Sequence, residues 1–147
     1  MNNSIQNGKY GHRLLQLGIV LFLIGLLTGL AIPSFVNPRM GLSSHLQGLT
    51  NGMFLILLGL IWPKLWLPKR WLSVTFWVVI YGTFANWLAT LLAAIWGAGR
   101  SMPIAALSNQ GSPLQEIIID TLLISLSVAM VFVCVVVLVG LRFNKKK

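Results

Sequence analysis

Few residues in this 147-residue chain are equipped for chemistry, and they are confined to a small part of it. His45, Asn51, Asn86, Thr90, Glu116 and Asp120 are polar groups set inside, or at the ends of, long apolar runs. A polar side chain in such a setting is costly, so it normally faces a bundle interior, a partner group or a ligand. There is no Cys or His cluster spaced for zinc, no glycine-rich phosphate loop and no Ser-His-Asp constellation. With one internal histidine and no second donor cluster, any bound metal has to bring most of its own ligands. Haem iron meets that condition, because the macrocycle supplies the equatorial nitrogens and a single histidine completes an axial position.

Each of these residues has a plainer reading beside the chemical one. His45 is either a solvated histidine or a ligand. Asn51 and Asn86 serve equally as interhelical hydrogen-bond glue, worth roughly 1 kcal/mol each. The Thr90 hydroxyl suits a bond back to its own helix. Glu116 suits the positive end of a helix dipole, and Asp120 a polar link to a neighbouring helix. Arg39 reads as an outer-loop charge.

The elements that must position these groups are membrane helices. Hydrophobic residues make up 56% of the chain and charged ones 9%, which leaves too little polar surface for a soluble domain of this size. Apolar runs long enough to cross a bilayer of about 30 Å extend over 14–32, 46–62, 71–96 and 117–141. The expected fold is all-α, an integral membrane bundle of four transmembrane helices in one domain over 1–147, with helices at about 12–32, 44–62, 70–97 and 113–142. The first run is too long, and lacks the small-residue cleavage site, for a signal peptide, so it is read as retained. Cys134 sits alone in an apolar stretch, which excludes an intramolecular disulfide.

Eleven basic residues against two acidic ones first suggest a polyanionic partner. Their placement argues against nucleic acid and for topology. Lys9 and Arg13, then Lys64, Lys69 and Arg70, then Arg142 and Lys145, Lys146 and Lys147 fall on one side of the four spans, whereas the other side holds only Arg39 and Arg100. By the positive-inside rule both termini are cytoplasmic. Trp62, Trp66 and Trp71 near the inner side and Trp96 at the outer side suit aromatic belts.

Two outer helix starts are expected from Ser-x-x-Gln boxes, at Ser112-Pro113-Leu114-Gln115 and at Ser44-His45-Leu46-Gln47. The second places His45 in a first helical turn. Small residues at Gly25 and Gly29, at Gly48 and Gly52, and at Ala85, Ala89, Ala93 and Gly97 provide ridges for close helix approach. Counted from the outer helix ends, Asn51 and Thr90 lie about 10 Å deep, Asp120 about 12 Å and Asn86 about 16 Å, one polar layer shared by three helices. His45 and Asn51 are about 120° apart around their helix, so they border one wide pocket or face different partners, as an oligomer allows.

The stretch Asn37-Pro38-Arg39-Met40-Gly41-Leu42-Ser43-Ser44-His45-Leu46-Gln47-Gly48-Leu49-Thr50-Asn51-Gly52, with Leu57 to Pro63, Tyr81 to Trp87 and Leu91 to Gly99, closely resembles the bacterial hydroxylaminobenzene mutases. That family is related to styrene oxide isomerase. The resemblance covers nearly all of the chain except its tails. It implies a small, trimeric, multi-pass protein of the bacterial cell membrane that holds haem b and acts on a small aromatic substrate. It makes His45 the axial iron ligand, places Asn51, Asn86 and Thr90 at the catalytic face, and lets Arg39 pair with a haem propionate. The implied reaction turns an arylhydroxylamine into a 2-aminophenol. Epoxide isomerases of the related family are expected to have a tyrosine where this chain has Thr90, which favours the mutase branch. Epoxide-to-aldehyde isomerisation remains the alternative within the family. A small transporter using the Asp120 and Asn51 layer, or a ligand-free assembly subunit, are the alternatives outside it.

Overall fold

The computed structural model describes residues 2–106 and 109–142, with the side chains of 2–7 left aside. Helices α1 (Asn2–Ala31), α2 (Pro38–Ile61), α3 (Lys69–Trp96) and α5 (Pro113–Arg142) are long, and a short helix, α4 (Pro103–Ala106), lies between α3 and α5. The four long helices have the length and apolar composition to cross a membrane, and the chain is all-helical among the described residues. Lys145, Lys146 and Lys147, which count towards the charge bias, lie outside the described residues.

Two helix boundaries differ from the sequence expectation. α1 begins well before residue 12, because the polar segment ahead of the apolar run continues the same helix. α2 begins at Pro38 and not at Ser44. The Asn37 side chain accepts hydrogen bonds from the Arg39 and Met40 N–H groups, and Pro38 occupies the first helical position, where a missing N–H costs nothing. Ser44 is therefore inside the helix, where its hydroxyl donates to the Trp87 carbonyl of α3. His45 moves from a first turn to about 10 Å along the helix. The Ser112 box does form, with the Ser112 N–H donating to Gln115 Oε1 at 2.8 Å. Gly97 ends α3 in the left-handed conformation with φ of 66°, as its place after the last apolar residue implies.

The first two helices approach through glycines. A Cβ on Gly48 would lie 2.5 Å from Gly25 Cα, and Cβ atoms on Gly18 and Gly11 would each lie 2.8 Å from the carbonyl oxygens of Gly52 and Gly59. Three glycine pairs thus bring the two backbones into contact along most of their length, the geometry that small-xxx-small spacing serves. Ala85, Ala89 and Ala93 of α3 are all buried; α3 packs against α2, where Ala93 shares a cluster with Met40, and against α5, where Gly82 accommodates Met130.

The core joins Leu14 and Leu21 of α1, Leu55 and Leu58 of α2, Leu72, Phe76 and Val79 of α3 and Val133 of α5. Trp62 belongs to this core and not to an interfacial belt, since it is fully buried with Tyr10 and Phe76 against its indole. Trp66 and Trp71 are exposed, as belt residues should be.

At the His45 end, the loop after α3 is tied down by Glu116. Its carboxylate accepts from the Gly99, Arg100 and Gly111 N–H groups at 3.2, 2.9 and 2.9 Å. The buried Asn37 amide donates to the Ala105 and Ala106 carbonyls from the other side. Because Glu116 is almost fully buried and the Gly99 N–H that it accepts from is buried with it, Glu116→Ala leaves that donor unpaired. A loss of about 1–3 kcal/mol in stability is expected, measurable as a lower unfolding midpoint in detergent.

Candidate active site

His45 is seated on α1. Its Nδ1 lies 2.8 Å from the Gly25 carbonyl oxygen. A carbonyl oxygen only accepts, so Nδ1 carries a proton, and Nε2 is the ring nitrogen left for a ligand. Among the described residues, Nε2 has no hydrogen-bond partner. This is the arrangement found for metal-ligating histidines, which donate the second ring N–H to a carbonyl or carboxylate and so fix tautomer and orientation. Gly29 completes the seat, because a Cβ there would lie 2.6 Å from Nδ1 and 2.9 Å from Cε1.

The asparagines are brought together by a residue that the sequence reading treats only as a cap partner. Gln47 Oε1 accepts from Asn51 Nδ2 at 3.1 Å and from Asn86 Nδ2 at 2.9 Å. Asn51 Nδ2 also donates to the Gln47 backbone carbonyl at 2.9 Å. The three amides form one group bridging α2 and α3 at matching depth. Gln47 follows His45 by two positions, about 200° around the helix, so within one chain the imidazole faces α1 while the amides face α3. Trp87 links the two sides. Its indole N–H donates to the Thr28 hydroxyl of α1 at 3.1 Å, and its ring lies over Gly48.

The other sequence candidates separate from this group. The Thr90 hydroxyl bonds to the Asn86 and Trp87 carbonyls at 3.0 Å each, so its proton is held by its own helix. Arg39 is exposed in the first turn of α2, and the salt bridge among the described residues does not involve it. Asp120 does not join the amide layer. Its carboxylate pairs with Arg100 at 2.9 Å and accepts from Ser101, both in the loop after α3. The hydrogen bond that Arg100 donates to Asp120 first, and the charge of that carboxylate second, hold the Arg100 guanidinium above its ordinary value. The shared layer therefore spans α2 and α3 and not α5. Asp120 and Asn51, which a transporter reading joins in one layer, have no hydrogen bond between them among the described residues.

No group of three or more His, Cys, Asp and Glu able to hold a metal occurs among the described residues. The donor set fits a metal that arrives with its own equatorial ligands. One imidazole, its ring held through Nδ1 by a backbone carbonyl so that Nε2 is left over, fits what a haem ligand would require.

The styrene oxide isomerase family matches residues 10–142, nearly the whole chain. The chain belongs to the styrene oxide isomerase family. Among curated proteins, "Hydroxylaminobenzene mutase HabB" of Ectopseudomonas oleovorans is 59% identical over 131 residues, covering 88% of this chain and 80% of that protein. "Hydroxylaminobenzene mutase HabA" of the same organism is 53% identical over 125 residues, covering 84% of this chain and 93% of that protein. No solved structure matches. This member of the styrene oxide isomerase family is thus an isomerase of the mutase kind, in agreement with the resemblance read from the Asn37–Gly52 stretch.

Proposed function

We propose that the protein converts hydroxylaminobenzene-type arylhydroxylamines into 2-aminophenols, with haem b held by His45, as a multi-pass protein of the bacterial cell membrane with both termini in the cytoplasm. Identity to two hydroxylaminobenzene mutases supports the choice of reaction. The observation that carries the cofactor is the His45 ring fixed through Nδ1 on the Gly25 carbonyl, which leaves Nε2 for iron. Arg39, exposed six positions before His45, is suited to a propionate.

Ferric haem, when bound, supplies a Lewis acid that favours departure of oxygen from nitrogen. The atoms balance without an oxidant: the N–O bond breaks, a C–O bond forms at the ortho carbon, and the ortho hydrogen is replaced by one gained at nitrogen. The chain's own part is orientation and exclusion of water. Asn51 and Asn86 hold the polar head of the substrate, and Thr90 acts only through Asn86, whose carbonyl its hydroxyl binds. Apolar surroundings accept the ring and keep water from competing with the returning hydroxyl. A trimer reconciles the two faces of α2, since His45 and the amides each meet a different neighbour.

Epoxide isomerisation is the second reading, favoured by the family match itself. Thr90 argues against it, since no aromatic hydroxyl stands at that position to assist ring opening. Purified protein given hydroxylaminobenzene and styrene oxide in parallel is expected to form 2-aminophenol with a kcat/KM at least about tenfold above that for phenylacetaldehyde formation, a preference that one additional hydrogen bond can supply. Preference for the epoxide would overturn the assignment.

A further inference from the structure

Asn51 is able to act only as a hydrogen-bond acceptor. The peptide carbonyl of Gln47 accepts and never donates, so the Asn51 atom 2.9 Å from it is the amide nitrogen. The Gln47 side-chain atom 3.1 Å from that nitrogen is then oxygen, and the Asn86 atom 2.9 Å from this oxygen is again nitrogen. One backbone carbonyl thereby fixes the orientation of all three amides. Asn51 Nδ2 has two hydrogens, and both are spent on Gln47.

The Asn51 carbonyl is left over. Among the described residues no donor reaches Asn51 Oδ1, and the only sealed side-chain atoms without partners are Trp62 Nε1 and Thr75 Oγ1. Asn51 Oδ1 is therefore open to a ligand even though the residue as a whole is buried. An open acceptor rewards a ligand that brings a donor and gives nothing to one that lacks it. A site built in this way discriminates strongly, because an analogue without the donor leaves a desolvated acceptor unpaired.

We infer that Gln47 is a specificity-determining positioning residue, which consumes both amide hydrogens of Asn51 and so reserves the Asn51 carbonyl for a substrate carrying an O–H or N–H donor. An arylhydroxylamine has both donors on its reacting head, and an epoxide has neither. The inference deepens the arylhydroxylamine reading and rests on it. Without the Gln47 side-chain oxygen, one Asn51 hydrogen stays on the backbone carbonyl of residue 47 and the other is released, so Asn51 offers an N–H donor beside its C=O and the preference for donor-bearing substrates falls.

The test compares kcat/KM for hydroxylaminobenzene with that for styrene oxide, or with the Ki of styrene oxide as a competitor should its turnover be undetectable. Gln47→Met, of similar length but without the amide oxygen, is expected to lower the preference for the hydroxylamine by about tenfold or more, the worth of one hydrogen bond. Gln47→Glu, which keeps an accepting oxygen for both asparagines, is expected to hold the preference near the wild-type value. Asn51→Ala removes the acceptor itself and is expected to lower the preference for the hydroxylamine over styrene oxide by about tenfold. Equal losses on both compounds in Gln47→Met, or the same fall in preference in Gln47→Glu, would overturn the inference. Should Gln47→Met not fold, an unchanged preference in Asn51→Ala overturns it as well. Wild-type protein with no hydroxylamine turnover sinks the underlying reading and the inference together. Wild-type turnover with an unmoved preference sinks the inference alone.

Discussion

Exchange of His45 for alanine is expected to abolish both the Soret band of the purified protein and its turnover of hydroxylaminobenzene, with helix content by circular dichroism kept. The expectation follows from the donor set. Among the described residues no other histidine, cysteine or carboxylate cluster is available to replace the lost ligand. His12 is exposed, at the far end of α1 from the Gly25 and Gly29 seat. Removing the ring costs little packing, because His45 is only partly buried and its bond partner, the Gly25 carbonyl, lies in a continuous helix. Exogenous imidazole is expected to return part of the band by occupying the vacated seat. A coloured His45→Ala protein with wild-type turnover contradicts the role given to this residue.

Gly29→Ala is expected to have the second largest effect, although it adds one methyl group and touches no substrate. The new Cβ would lie 2.6 Å from His45 Nδ1, 2.9 Å from Cε1 and 3.2 Å from Cγ. Real Cβ atoms do not approach so closely, so the imidazole must turn away and surrender its bond to the Gly25 carbonyl. Loss of such an orienting partner typically weakens metal sites by about 10- to 100-fold. Haem retention during gel filtration should fall by that order. In a His12→Gln background, 15N spectra of the apoprotein should show Nδ1–H for wild type and a mixture of tautomers for Gly29→Ala. Gly8→Ala, where a Cβ meets nothing within 4 Å, is the matched control on the same helix. Wild-type haem retention in Gly29→Ala would remove the seat from the account.

The membrane architecture was legible because it depends on long uniform runs, and a run of apolar residues ended by proline has few other uses. The start of α2 was harder. Ser44-His45-Leu46-Gln47 and Ser112-Pro113-Leu114-Gln115 carry the same box, yet only the second caps a helix. The difference is the proline at the first helical position, which Ser112 has and Ser44 lacks. Asn37-Pro38 has the stronger signal, but Arg39, Ser43 and Ser44 lower the hydropathy of the first turns of α2 and make them read as loop. That shift also hid Gln47, which a capping role had already accounted for.

The site residues were legible one by one but not as a set. Depth along each helix placed Asn51 and Asn86 together, and both do bond Gln47. Depth could not tell that Asp120 turns towards Arg100 and Ser101, since that choice depends on the loop held by Glu116. Nor could spacing show that Gly25 gives His45 a carbonyl, because that contact needs the two glycine-lined backbones already in place. Trp62 was misplaced for a similar reason. A tryptophan beside a proline at a helix end reads as interfacial, and only the positions of Tyr10 and Phe76 make it core.

The central claim is an intramolecular transfer of hydroxyl from nitrogen to the ortho carbon, in a site that keeps water away from the reacting centre. Mass spectrometry of the 2-aminophenol formed from unlabelled hydroxylaminobenzene in H2 18O tests it most directly. The account predicts product at the unlabelled mass, its ring oxygen carried over from the substrate. Product bearing solvent oxygen, or no 2-aminophenol at all, would contradict it.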